Sequence, residues 1–61
     1  MQISIDDFCR INCLRYSEVH KALIYLAAIL KNHIVKRDRI FIDSYGQKMI
    51  LSNIIRRRNK Q

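Results

Sequence analysis

Residues 4–23 read SIDDFCRINCLRYSEVHKAL, and the way this stretch breaks in the middle decides the fold. It holds two helix starts. Ser4 is an N-cap candidate with Asp7 three residues on, the spacing of a capping box. Ile3 and Phe8 fall at the two positions of a hydrophobic staple. Asp6 and Asp7 put negative charge in the first turn, where the helix dipole favours it. These cues predict a helix from Ile5 to Ile11 or Asn12, with Ile5, Phe8 and Cys9 facing inward. Asn12-Cys13-Leu14-Arg15-Tyr16 then interrupts the period, and Asn12 tolerates the left-handed conformation that ends helices. Ser17 offers a second N-cap, with Glu18 in the first turn. From there Val19, Leu23, Leu26, Leu30 and Ile34 recur at helical spacing on one face. A second helix is therefore expected from Ser17 to about Asn32 or His33. It is unusually apolar, because Ile24, Tyr25, Ala27, Ala28 and Ile29 carry the greasy surface around it. Such a helix is wrapped by other elements or packs on a second copy of the chain.

Beyond it the period changes. Arg39-Ile40-Phe41-Ile42-Asp43 alternates in β-rich residue types, and Lys48-Met49-Ile50-Leu51 is a second short apolar run. Ser44-Tyr45-Gly46-Gln47 lies between them and holds the only glycine of the chain. This predicts a β-hairpin turning at Gly46, with the glycine at positive φ. Phe41 is expected in the core and Tyr45 at an exposed loop tip. Ser52 is a third N-cap candidate ahead of Ile54-Ile55-Arg56-Arg57-Arg58, so the chain is expected to end in a short basic helix, or in a loose tail from about residue 56.

Composition bounds what such a chain does. With 61 residues it is one small domain near the lower limit for an autonomous core. Its 49% hydrophobic content and lack of proline argue for a folded α+β domain over a disordered chain. The charge is one-ended. Up to Leu30 three basic residues meet three acids, whereas from Lys31 onward nine meet only two, so the whole net charge of +7 lies in the second half. A field of this kind attracts phosphates, acidic proteins or anionic surfaces. The bases are not arrayed on one amphipathic helix, and the longest apolar run is far below the about 20 residues that span a bilayer, so no membrane partner is expected. Two cysteines and a start without a basic, then apolar, leader point to a reducing, cytoplasmic setting. Cys9 and Cys13 with His20 and His33 do not match a zinc spacing, and no metal or other cofactor is expected. With a single Glu, no nucleophile–base pairing and no phosphate loop, the chain does not read as an enzyme.

The order helix, tight break, helix, hairpin and basic end, carried by residues 4–23 and 39–51, resembles the small winged helix-turn-helix DNA-binding regulators of the excisionase and MerR-like group. It departs from them in having Asn12-Cys13 where the turn usually carries a glycine, and in the length and greasiness of the second helix. The resemblance implies a winged-helix-like domain acting as a transcriptional regulator or recombination accessory of phage or plasmid type. Tyr16, Ser17, His20 and Lys21 at the start of the second helix would then read base edges in a major groove about 12 Å wide. Lys36, Arg37, Arg39, Lys48, Arg56, Arg57, Arg58 and Lys60 would hold phosphates. If about six of these bind, the log–log salt slope of affinity should be about −5. A homodimer through the apolar second helix fits this picture. Two other readings stand beside it. The chain could be an adaptor or inhibitor that docks its apolar helix on an acidic protein. It could equally be an RNA-binding protein that stacks bases on Tyr16, Tyr25, Phe41 or Tyr45.

Overall fold

A computed structural model describes residues 1–60. Strand β1 (Ile3–Ser4) runs directly into helix α1 (Ile5–Ile11), and α2 (Tyr16–Tyr25) follows. Strands β2 (Ile34–Lys36) and β3 (Ile40–Ile42) form a hairpin, and α3 (Ser44–Asn59) closes the described chain. The architecture is α+β, with three helices and one antiparallel sheet of order β1-β3-β2.

The N-terminal helix forms as its sequence predicts. Ser4 Oγ accepts the Asp7 backbone N–H at 3.2 Å, and Ile5 and Phe8 are buried. The Asp7 carboxylate turns to Arg10 at 3.4 Å instead of closing the capping box. The helix ends in a Schellman arrangement. Leu14 N–H donates to the Cys9 carbonyl at 2.9 Å and Cys13 N–H to that of Arg10 at 3.4 Å. Cys13 takes the left-handed position (φ 54°), not Asn12, whose side chain donates back to the Phe8 carbonyl at 3.0 Å. This sharp exit returns the chain to helical dihedrals at Tyr16. Arg15 therefore occupies the N-cap without a side-chain cap bond, and Ser17, expected as the cap, lies inside the helix.

Three expectations are corrected. First, α2 stops at Tyr25, well short of residue 32. The chain continues through consecutive turns, in which Leu30 N–H donates to Leu26 O at 2.8 Å and His33 N–H to Leu30 O at 2.9 Å. These turns keep a near-helical advance, so Leu26 and Leu30 are still buried although the regular helix has ended.

Second, the hairpin lies earlier than predicted. Its strands pair Ile34 with Ile42, Val35 with Phe41 and Lys36 with Ile40, and Arg37-Asp38-Arg39 form the tip. β1 adds to the other side of β3 through Ile3↔Ile42 and Ser4↔Phe41. Phe41 points away from the face that carries the buried Ile42 and is only half-buried.

Third, residues 48–51 are helical. Asp43 caps α3 by accepting the Gly46 N–H at 2.8 Å. Gly46 therefore sits in the first turn of a helix and has no positive φ. Tyr45, expected at a loop tip, lies exposed in the same turn and packs on the His33 ring at 4.5 Å between centroids. Ile50, Asn53 and Ile54 recur at helical spacing and face the core, and Ser52 and the Arg56-Arg57-Arg58 run continue the same helix.

One core gathers these faces. Phe8, Val19, Ala22, Leu30, Ile42 and Ile50 are fully shielded from solvent. Asn53 is the one poorly matched core residue, since its buried Oδ1 finds no hydrogen-bond donor among the described residues.

Candidate nucleic-acid interface

Helical spacing places the four predicted base-reading residues together. Tyr16, Ser17, His20 and Lys21 are exposed and, with Ile24 and Tyr25, form one stripe along α2. The stripe is ordered at its start, where the Tyr16 and His20 rings stack 6.1 Å apart and 15° from parallel. The opposite side of α2 buries Val19 and Ala22 in the core, so the stripe is held facing outward.

Cations flank this stripe on both sides. On one side Tyr16 shares a cleft with Arg39 and Ile40 of the hairpin and with two acids, Asp6 and Asp38, and His20 shares a groove with Lys36. Arg37 is exposed at the hairpin tip. On the other side the C-terminal turns of α3 close on the start of α2. There Arg15, Ser17, Glu18, Lys21, Arg57 and Arg58 line an open cleft of about 500 Å³. Within α3, Arg57 and Arg58 follow Ile54 at helical spacing and so turn toward α2. Lys48 lies on the far face of the same helix and does not join the site; Arg56 and Lys60 are exposed near its end, outside the cleft.

Glu18, expected in the first turn of the second helix, is an acid beside the candidate reading residues. In the fold it is paired. Arg58 donates to it from Nε at 3.2 Å and from Nη2 at 3.0 and 3.1 Å. The hydrogen bonds from Arg58 hold the Glu18 carboxyl below its ordinary pKa, and the same bonds raise that of the guanidinium. Arg58, expected to contact a phosphate, is thereby paired with Glu18 while its side chain stays 57% exposed. Arg57 lies over the Tyr25 ring at 5.1 Å, a cation–π contact. Lys21, Lys36, Arg37 and Arg39 form no ion pair among the described residues.

Sequence reading missed both α2–α3 contacts, because Glu18 and Arg58 are 40 residues apart and no local pattern joins them. It also missed the pairing of His33 Nδ1 with Asp43 Oδ2 at 2.7 Å, which ties the start of the hairpin to the cap of α3. The Gly46 N–H, and then His33, hold Asp43 below its ordinary pKa. Burial, aided by Asp6, pushes the Cys9 thiol up, away from the reactive thiolate. No group of three or more His, Cys, Asp or Glu side chains gathers to hold a metal among the described residues. No helix among them is long and apolar enough to cross a membrane.

Comparison with protein-family models, with curated proteins and with solved structures finds no match to this chain.

Proposed function

We propose that this chain is a small duplex-DNA-binding regulatory protein, a transcriptional regulator or recombination accessory. In this reading α1 and α2 are a helix-turn-helix, and α2 enters the major groove. The β2–β3 hairpin is the wing and lies along the flanking backbone. Tyr16, Ser17, His20 and Lys21 read base edges, while Lys36, Arg37, Arg39 and Arg57 hold phosphates.

The observation that carries the proposal is the exposed stripe of α2 with cations on both flanks and its one acid already neutralised. A helix fills the major groove, and each groove wall is a phosphate ridge. A reading helix therefore needs cations on both sides of it, and Lys36 and Arg39 stand on one side with Arg57 on the other. The order helix, tight turn, helix and hairpin supports the reading, with the hairpin at residues 34–42 and not at 39–51.

Fluorescence anisotropy of the chain with a labelled random duplex at low salt tests this reading. Saturable binding, with duplex preferred to the corresponding single strand, is the expected result. Absence of duplex binding, or a clear preference for single strands or structured RNA, overturns it.

A further inference from the structure

Next to the exposed stripe, α2 and the hairpin diverge, and a second groove opens between them. Its floor is apolar, made by Leu23, Ile24 and Ala27 on one wall and Ile34 and Ile40 on the other. Its rim is basic, with Lys31 and Lys36 at the edges and His20 beside them. Among the described residues no Asp or Glu lines it. The core does not use this surface fully: Val19, Ala22 and Leu26 complete the buried side of the segment, whereas Ile24 is left 66% exposed. An apolar strip rimmed by charge marks an interaction site more often than an accident of composition.

We propose that this groove docks an acidic amphipathic helix of another protein. Charge decides between the occupants. A second copy of this chain, related by the usual two-fold axis, would set the same patch against itself. That would bring Lys31 and Lys36 against their own counterparts, in a chain whose entire +7 arises from Lys31 onward. A duplex matches the rim but offers the floor only scattered thymine methyl groups, not a continuous apolar strip. An acidic amphipathic helix matches both, with apolar residues at i, i+3 or i+4 and i+7 on the floor and carboxylates reaching the lysines. The proposal does not depend on the DNA reading. Because His20 and Lys36 belong to both surfaces, the docked helix and a duplex would exclude one another.

The test is a selection of random displayed peptides on the intact chain without DNA, followed by affinity measurement of a recovered peptide. The expected peptides are net acidic, with apolar residues at helical spacing. Their affinity falls at least about tenfold on Ile24→Asp, which places a charge on the floor. It also falls about tenfold on the double reversal Lys31→Glu and Lys36→Glu, a variant that selects basic peptides in their place. An unchanged melting temperature in Ile24→Asp, at an exposed position, shows that the fold is intact. Recovery of no peptides, of peptides without acidic character, or of peptides indifferent to Ile24→Asp overturns the proposal. A dimer in sedimentation equilibrium that Ile24→Asp dissociates also overturns it, since the groove is then filled by a second copy.

Discussion

Arg58, near the end of α3, grips Glu18, in the first turn of α2, with three hydrogen bonds of 3.0 to 3.2 Å. The pair pins the basic end of the chain against the helix that carries the proposed reading residues. It also cancels the one acid on that part of α2.

The pair gives the proposed function an asymmetric signature. Arg58→Ala leaves Glu18 uncompensated beside the phosphates and should weaken duplex binding by about tenfold, more than Lys48→Ala on the far face of α3. Glu18→Gln should act in the opposite direction, because it removes a repulsive charge and frees a guanidinium. Its salt slope should steepen by about 1. Equal losses from the Arg58 and Glu18 changes would show that the pair serves only to hold the fold.

Acid should destabilise the fold through two carboxyls. Glu18 and Asp43 are both held below their ordinary pKa, Glu18 mainly by hydrogen bonds from Arg58 and Asp43 mainly by the Gly46 N–H. Each binds a proton less readily in the folded chain than in the unfolded one. Their stabilisation is complete above the usual carboxylate range and is lost as the pH falls through the folded values, below about pH 4. Thermal melts should therefore show little contribution from these groups above about pH 5 and a falling midpoint below about pH 4. Asp43→Asn keeps a competent cap and should flatten part of that acid limb.

Gly46 separates the helix from the expected hairpin. It lies in the first turn of α3, and an added Cβ would meet Asp43 Oδ1 at 3.4 Å and the His33 carbonyl at 3.6 Å, close contacts without overlap. Gly46→Ala should stabilise the chain by about 0.5–1 kcal/mol, as for glycine replaced within a helix. At this size that is a rise of a few degrees in the melting midpoint. A turn glycine at positive φ would give a fall in the same measurement.

Cys13 predicts the complementary result. It holds φ 54° in the turn between α1 and α2, where most side chains are strained. Cys13→Gly should raise stability by about 0.5–1 kcal/mol in denaturant melts. Cys13→Val should lower it, because a β-branched residue resists that conformation more strongly.

The two ends of this contrast also show what was legible in the sequence. α1 was legible because its determinants are local: Ser4, Asp6, Asp7 and Phe8 lie within one turn and a half. The exposed stripe of Tyr16, Ser17, His20 and Lys21 was legible for the same reason, since helical spacing alone places them together. α3 was misread because the run from Lys48 to Leu51 fits strand and helix equally, while Gly46 suggested a turn. The deciding signal was Asp43, an N-cap followed by residues without proline and with Ile50 and Ile54 one turn apart. Once α3 claims those residues, β3 takes its partner from the preceding Ile34-Val35-Lys36. β1 is two residues long, too short for any periodic pattern, and exists because Ile3 and Ser4 meet Ile42 and Phe41. The Glu18–Arg58 pair is tertiary and had no local trace.

The central claim, that cations on both sides of α2 meet the phosphates of a duplex, is tested most directly by titrating salt against the affinity for a random duplex. With Lys36, Arg37, Arg39 and Arg57 engaged and Arg58 held by Glu18, log affinity should fall linearly with log salt at a slope of about −3.6. Arg39→Ala should reduce that slope by about 1. A slope near zero, or no binding at the lowest salt, would contradict the account.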